Sequence, residues 1–190
     1  MAATTDSKFK RFDPSTDKAP SSGGMFIGLK NKGDFAKFYL IDKGALSYQK
    51  TEKDFNDKTK MVTKTKFLFL VLDMSECKNL EEWKNGVGAR VKLLECGAPV
   101  YNAIHNNVKE YNGDFNAALK LERIETTGFS QYAVTVVPKS EGEFTAGQQV
   151  VIEAFLEEKD VTLANALEAF AEQYSGNAAS DEEEFDPSKA

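Results

Sequence analysis

The chain is poor in the residues that a secreted, membrane-spanning or metal-centred protein relies on. Among 190 residues there are two cysteines, one histidine and one tryptophan. Cys77 and Cys96 form no Cys-x-x-Cys pair, and His105 is the only imidazole, so Cys and His cannot supply a four-ligand zinc site. A disulfide is open to them, but two reduced, buried thiols are the expectation. No apolar run reaches the length that crosses a bilayer, and the opening MAATTDSKFKRFDPSTDK has no apolar centre of the kind a secretory signal needs. The expected location is a cytoplasm. Gly86-Val87-Gly88 has no further glycine at dinucleotide-loop spacing and reads as a turn. Neither a metal nor a cofactor is expected.

A hydrophobic content of 41% supports one core-bearing domain with appendages. The expected division is a flexible basic and aromatic arm at 1–24, a single domain at 25–174, and a disordered acidic tail at 175–190. The net charge of −6 is unevenly spread: residues 1–72 carry +6, 73–139 carry −1 and 140–190 carry −11. A basic front and an acidic end suggest competition within the chain, or a tail meant for a basic partner.

The stretch Lys58–Asp73, KTKMVTKTKFLFLVLD, organises the rest. Lys58, Lys60, Lys64 and Lys66 lead into Phe67–Leu72, an apolar run of strand length without Pro or Gly that predicts a buried central strand. Ammonium groups beside strand-borne rings are also what holds a nucleic-acid strand, with cations on phosphates and flat faces under bases. Core plus solubilising lysines accounts for the same letters. Upstream, Lys8, Lys10 and Arg11 alternate with Phe9 and Phe12 in the arm. Met25–Lys30, Phe35–Asp42 and Ala45–Gln49, separated by turns at Asn31–Asp34 and Lys43-Gly44, predict an antiparallel meander. Period two places Phe35, Lys37, Tyr39 and Ile41 on one face and Ala36, Phe38, Leu40 and Asp42 on the other. The first set reads as a stacking platform or as a half-buried sheet with a snorkelling lysine. Lys50–Thr65 predicts a charged loop whose Lys50, Lys53, Lys58 and Lys60 can close over a bound strand.

Asn79, three residues before Glu82, marks a helix start, and Trp83 is expected to staple that turn to the core. Ala89–Cys96 predicts a strand. Pro99–Tyr111 predicts a helix with Val100, Ile104, Val108 and Tyr111 along one stripe and Gly113 at its end. His105 falls off the stripe and has no nucleophile or carboxylate partner by spacing. Ala118–Thr126 and Tyr132–Val137 predict a hairpin around Thr127–Ser130, closed by Pro138. Thr162–Tyr174 predicts an amphipathic helix that packs on the domain or on a second subunit, leaving a homo-oligomer open. The fold class expected is therefore mainly β with added helices (α+β): an OB-like Greek-key barrel with a helix before the last hairpin and a C-terminal helix.

The order Pro99-Val100-Tyr101 to Tyr111-Asn112-Gly113-Asp114-Phe115, then Ala118–Arg123, Thr127-Gly128 and Tyr132–Pro138, resembles the carboxyl half of some phage-encoded single-stranded-DNA-binding proteins. The likeness covers about a fifth of the chain and its motifs are moderately specific. It implies an OB-like fold, strand protection in replication or recombination in a host cytoplasm, and no catalytic residues. Asp181, Glu182, Glu183, Glu184, Phe185 and Asp186 resemble the acidic tails by which such proteins recruit replication or recombination enzymes. Here the chain departs from those tails by continuing to Pro187-Ser188-Lys189-Ala190 instead of stopping at the aromatic, which puts capture through a terminal carboxylate in doubt. Phe-Asp-Pro-Ser stands at both ends, at Phe12–Ser15 and Phe185–Ser188, without a physical account.

The expectation is thus sequence-tolerant single-stranded-DNA binding through Phe35, Lys37, Phe38, Tyr39, Tyr48, Lys58, Lys60, Lys64 and Lys66, with the acidic tail for autoinhibition and recruitment. The alternative is an acidic protein-interaction module or host-takeover factor that binds no nucleic acid, working through its tail and the Ser140–Glu172 region. A metal-dependent nuclease using Asp34, Asp42 or Asp73 is a third, thinner alternative, because scattered carboxylates are expected on any acidic surface.

Overall fold

Strand β3 (Met61–Asp73) is the axis of the sheet. Its apolar half sends Leu68, Leu70 and Leu72 to one face and Phe69 and Val71 to the other, and all five are buried. The strand is covered on both sides, which is why its hydrophobic run is continuous. The computed structural model describes residues 25–42, 44–54, 56–110, 116–125 and 131–178, with 173–178 described through the backbone alone. The basic arm, residues 179–190 of the acidic tail, Tyr111, Gly113 and the turn Thr127–Ser130 lie outside the described residues.

β4 (Arg90–Gly97) pairs with one edge of β3 from Lys66 to Asp73. The other edge takes two partners in succession: β2 (Leu46–Lys53) opposite Met61–Leu68, and β1 (Phe35–Leu40) opposite Val71–Asp73. β5 (Leu119–Glu125) pairs with β1, and β6 (Gln131–Val136) with β5. The result is a mixed α+β protein with an open, antiparallel six-stranded sheet. Among the described residues no ladder joins β4 to β6, so the sheet is not closed into a barrel.

Two expectations about this front half are corrected. β1 and β2 do not form a meander with each other. They lie end to end along β3, because that thirteen-residue strand, free of Pro and Gly, is a template long enough for both. Between the two registers the β1–β2 side holds three more residues than β3, a bulge-like insertion in which the Asp42 carboxylate accepts the Gly44 amide at 2.9 Å. The segment Lys50–Thr65 is not one loop either. Strand runs to Lys53 and resumes at Met61, since β-branched Thr51, Val62, Thr63 and Thr65 suit a ladder and the charged residues pair across it. Met25–Lys30 contributes only a parallel bridge, Phe26 to Leu93, flanked by Leu93 N–H to Met25 O (2.6 Å) and Ile27 N–H to Leu93 O (2.9 Å).

The helices cover the two faces separately. α1 (Leu80–Asn85) is capped by Asn79, whose side chain accepts the Glu82 amide, and α2 (Ala98–Glu110) follows β4 without a loop. α3 (Ala146–Glu158) and α4 (Ala166–Ala178) complete the set. The first core joins Tyr39, Leu68, Leu70, Leu72 and Leu93 to Trp83 of α1, Ile152 of α3 and Phe170 of α4. The second joins Phe38, Phe69, Val71, Leu94 and Leu119 to Val100 and Ile104 of α2, on the expected stripe. α4 starts four residues later than expected, because Asn165 accepts the Thr162 amide and hydroxyl in a separate turn, and it runs through Gly176. No helix among the described residues is long and apolar enough to cross a membrane.

Candidate nucleic-acid interface

Beyond the end of β4, β2 and the first half of β3 continue as a two-stranded ribbon, in which Met61–Thr65 pair with β2 only. The turn at its tip is built by its acids. Asp54 Oδ1 accepts the Asn56 and Asp57 amides at 2.8 and 3.0 Å, and Asp57 Oδ1 accepts the Thr59 amide at 3.1 Å. Asp57 also reaches Lys60 at 3.4 Å, and its hydrogen bonds from Thr59 hold its carboxyl below the usual range. Lys58, at the same tip, is exposed and makes no ion pair among the described residues.

The two faces of the ribbon differ in kind. On one, Tyr48, Lys50, Glu52, Lys64 and Lys66 stand together, as the register Tyr48↔Lys66 and Lys50↔Lys64 requires. Glu52 accepts from Lys64 at 2.8 Å and Lys66 at 3.2 Å, and these bonds, that of Lys64 first, hold its carboxyl below the usual range. Glu95 of β4 accepts from Lys50 at 3.0 Å and from the Tyr48 hydroxyl, whose pKa burial pushes up, with the Glu95 contact adding to the shift. A groove of about 610 Å³ opens beside this cluster, its lining including Phe26, Leu46, Tyr48, Leu68 and Ala171 together with Lys50, Glu95 and Glu172. The opposite face carries no acid: Gln49 donates to Thr65 at 3.1 Å and the Thr51 and Thr63 hydroxyls bond at 3.1 Å. It leads to a column of rings, with Phe67 stacked on Tyr101 at 4.0 Å and Tyr101 on His105 at 6.1 Å, interplanar angles 16° and 15°.

The structure scatters the residues expected to form one furrow. Tyr48, Lys64 and Lys66 come together on the ribbon, and Lys58 and Lys60 sit at its tip. Phe35 and Lys37 lie at the far end of β3, about 30 Å of strand away at roughly 3.3 Å per residue. Phe38 and Tyr39 are corrections. Phe38 is 0% exposed in the second core and Tyr39 3% exposed in the first, so neither presents a face to a base. The alternation of β1 is as read, but both of its faces are covered at these positions. Tyr39 accepts from Trp83 Nε1 at 2.8 Å, and burial pushes its phenol up to about 12. The acidic tail residues Asp181–Asp186 lie outside the described residues.

Sequence reasoning overlooked Glu95, Tyr101 and Lys120. Nothing local marks Glu95 as the partner of Lys50, since the contact spans two strands. Tyr101 sits on the same helix as His105, four residues before it, and that spacing was a signal for ring contact. Asp34, Asp42 and Asp73 do not converge. Asp34 accepts the Lys30 and Asn31 amides, Asp42 holds Gly44, and buried Asp73 binds Lys92 at 2.7 Å. Among the described residues no group of three or more His, Cys, Asp or Glu side chains is placed to hold a metal. No known family, curated protein or solved structure matches the chain.

Proposed function

We propose that this chain is a sequence-tolerant single-stranded-DNA-binding protein on an OB-like scaffold, which protects strands in replication or recombination. The observation that carries the reading is the ribbon. Residues 46–66 hold six lysines against three acids, a local +3 in a chain of −6, and two of those acids are spent on the turn. A strand crossing Met61–Thr65 along the edge that no ladder covers among the described residues would meet the Lys50, Lys64 and Lys66 face on one side and, on the other, Lys53 and neutral hydrogen-bonding side chains leading to the Phe67–Tyr101 rings. The scaffold supports the reading. If β1 and β2 are taken as one bent strand, the order is β4, β3, β1/β2, β5, β6 with α2 between β4 and β5. That resembles a five-stranded, partly open Greek-key barrel, a form that takes oligonucleotides on its second and third strands and its first loop. Here that loop is the ribbon tip.

The contact set is revised to Tyr48, Lys50, Lys53, Lys58, Lys60, Lys64 and Lys66, with Phe67 and Tyr101 as the stacking column. Six neutralised phosphates give a slope of log affinity on log salt of about −4, or a few-hundredfold between 50 and 200 mM. Titrating labelled oligo-dT against the wild type and a Lys58→Gln, Lys60→Gln, Lys64→Gln, Lys66→Gln variant tests this. Micromolar or tighter binding at low salt, with a shallower slope in the variant, supports the reading. Absence of binding at micromolar protein, with and without the tail, ends it.

A second reading is favoured by Glu52 and Glu95, which already hold Lys50, Lys64 and Lys66. In that case the ribbon is a self-neutralised arm and the acidic end of the chain recruits a basic protein without nucleic acid. The same titration separates the two. Recruitment of replication enzymes by Asp181–Asp186, and a homo-oligomer, belong to the first reading as proposals.

A further inference from the structure

We infer that the cleft between β1, β5 and the start of the chain after β6 is a second, separate nucleotide-binding site, which takes one nucleotide by stacking its base on Phe35 and its phosphate on Lys37 and Lys120. The inference rests on the strand-binding reading for its ligand class but uses different residues at the other end of β3. The cleft has a volume of about 290 Å³, close to the lower end of small-molecule pockets, and is lined by Phe35, Lys37, Lys120, Thr135, Pro138 and Glu141. Phe35 is 47% exposed, a large ring left in water on a strand whose other two rings, Phe38 and Tyr39, are buried. Such a ring is a ready stacking face.

The cations are placed by register. Lys37 opposes Lys120 across the β1–β5 ladder, so the two ammonium groups rise from neighbouring positions on the face that carries Phe35. Lys120 Nζ lies 5.0 Å from the Phe35 ring centroid, and Lys37 Nζ lies 5.8 Å from that of Trp83. Two like charges on opposed positions of a ladder repel each other. Glu122 relieves Lys120 at 2.6 Å, whereas Lys37 makes no ion pair among the described residues and is the cation left for an anion. Glu141 opposes binding of a phosphate from the cleft wall, and its removal is expected to strengthen it. The Thr135 hydroxyl adds a donor.

The site also fits the ribbon. Lys37 and Lys66 stand on the same face of the sheet as Tyr39 and Leu68. A strand held at both places spans about 30 Å of sheet, within the roughly 4–16 nucleotides that one barrel of this kind accommodates.

Trp83 is the only tryptophan, and the Lys37 ammonium stands over its ring, so its emission is read for binding at this cleft, with the ribbon variants as the control. The full chain is titrated with dTMP and with thymidine, reading Trp83 emission, and in parallel with labelled dT oligomers of about 5 and about 16 nucleotides. A saturable emission change with dTMP, weaker with thymidine, is expected. It should vanish in Phe35→Ala, persist in Phe35→Tyr and in the Lys64→Gln, Lys66→Gln double variant, and move to lower dTMP concentration in Glu141→Gln. Phe35→Ala should weaken the long oligomer about fivefold or more and leave the short one unchanged. Circular dichroism verifies the fold of each variant. An emission change that survives Phe35→Ala, or none at all, overturns the cleft. If oligomers still bind through the ribbon lysines in that case, strand binding stands without it. A dTMP response without oligomer binding leaves the cleft standing and removes the strand-binding reading.

Discussion

Trp83 Nε1 donates to the Tyr39 hydroxyl at 2.8 Å, and both rings are buried. The bond ties α1 to β1 across 44 positions, and Phe144 closes the other side of Tyr39, its ring centroid 5.2 Å away. Tyr39→Phe leaves a buried indole N–H unpaired and is expected to cost about 1–3 kcal/mol in urea unfolding. Oligo-dT affinity at a temperature where the variant is folded should stay within twofold of wild type. A large loss of affinity with unchanged stability would return Tyr39 to the binding surface.

Glu52 bridges Lys64 and Lys66, so it competes with any phosphate for both. Glu52→Gln should tighten oligo-dT binding at low salt and steepen the salt slope by about 0.7 for each phosphate gained. Fluorescence titrations at several salt concentrations measure both. If affinity falls instead, Glu52 is holding the ribbon in its binding shape.

Burial raises the Tyr39 phenol from 10.0 and the Cys96 thiol from 9.0, each to about 12. The unfolded chain therefore ionises before the folded one. The stability from keeping these groups neutral is complete below about pH 9 and is lost as pH rises through about 12. Urea midpoints should be flat near pH 8 and fall from about pH 9 upward, and Cys96→Ala should make the fall shallower without removing it, because burial raises the Cys77 thiol from 9.0 as well. A midpoint that stays level to pH 12 would contradict the burial of both groups.

A Cβ built on Gly142 would stand 2.5 Å from Trp83 Cε2, and one on Gly147 2.5 Å from the Lys84 carbonyl oxygen. Neither neighbour is the free end of a flexible chain. Gly142→Ala and Gly147→Ala should each cost about 1–3 kcal/mol by overpacking, visible in thermal unfolding. Gly28→Ala, where a Cβ meets nothing within 4 Å, is the neutral control.

Truncation after Ser180 removes five acids and one lysine, taking the net charge from −6 to −2. If the acidic end contests the ribbon, oligo-dT binding tightens severalfold at low salt. The gain should disappear at about 1 M salt, where the screening length is near 3 Å. Unchanged binding at low salt would leave the tail to partner recruitment alone.

How much of this was legible in the sequence depended on the range of the interaction. The central strand, the helix with Val100 and Ile104 on its stripe, the Asn79 cap and the last hairpin are written in local periodicity and capping. The helix Ala146–Glu158 was signalled by Thr145 and Gln148 but went unread, because Gln148 looks like a surface residue until its amide is seen donating to the Trp83 carbonyl at 2.6 Å. The ribbon was hidden by its charge, which local composition assigns to a loop and cross-strand pairing turns into a ladder. Exposure on β1 was not legible at all. Period two separates Phe35 from Phe38, but only the helices over each face decide which ring stays in water.

The ladder between β1 and β5 joins Phe38 to Leu119, about eighty positions apart in the chain. A nascent chain can assemble β2, β3 and β4 from near neighbours, while the outer edge of β1 waits for most of the polypeptide to leave the ribosome. Synthesis stalled before residue 119 would present that naked edge to chaperones or to other growing chains, which makes premature termination there a route to aggregation.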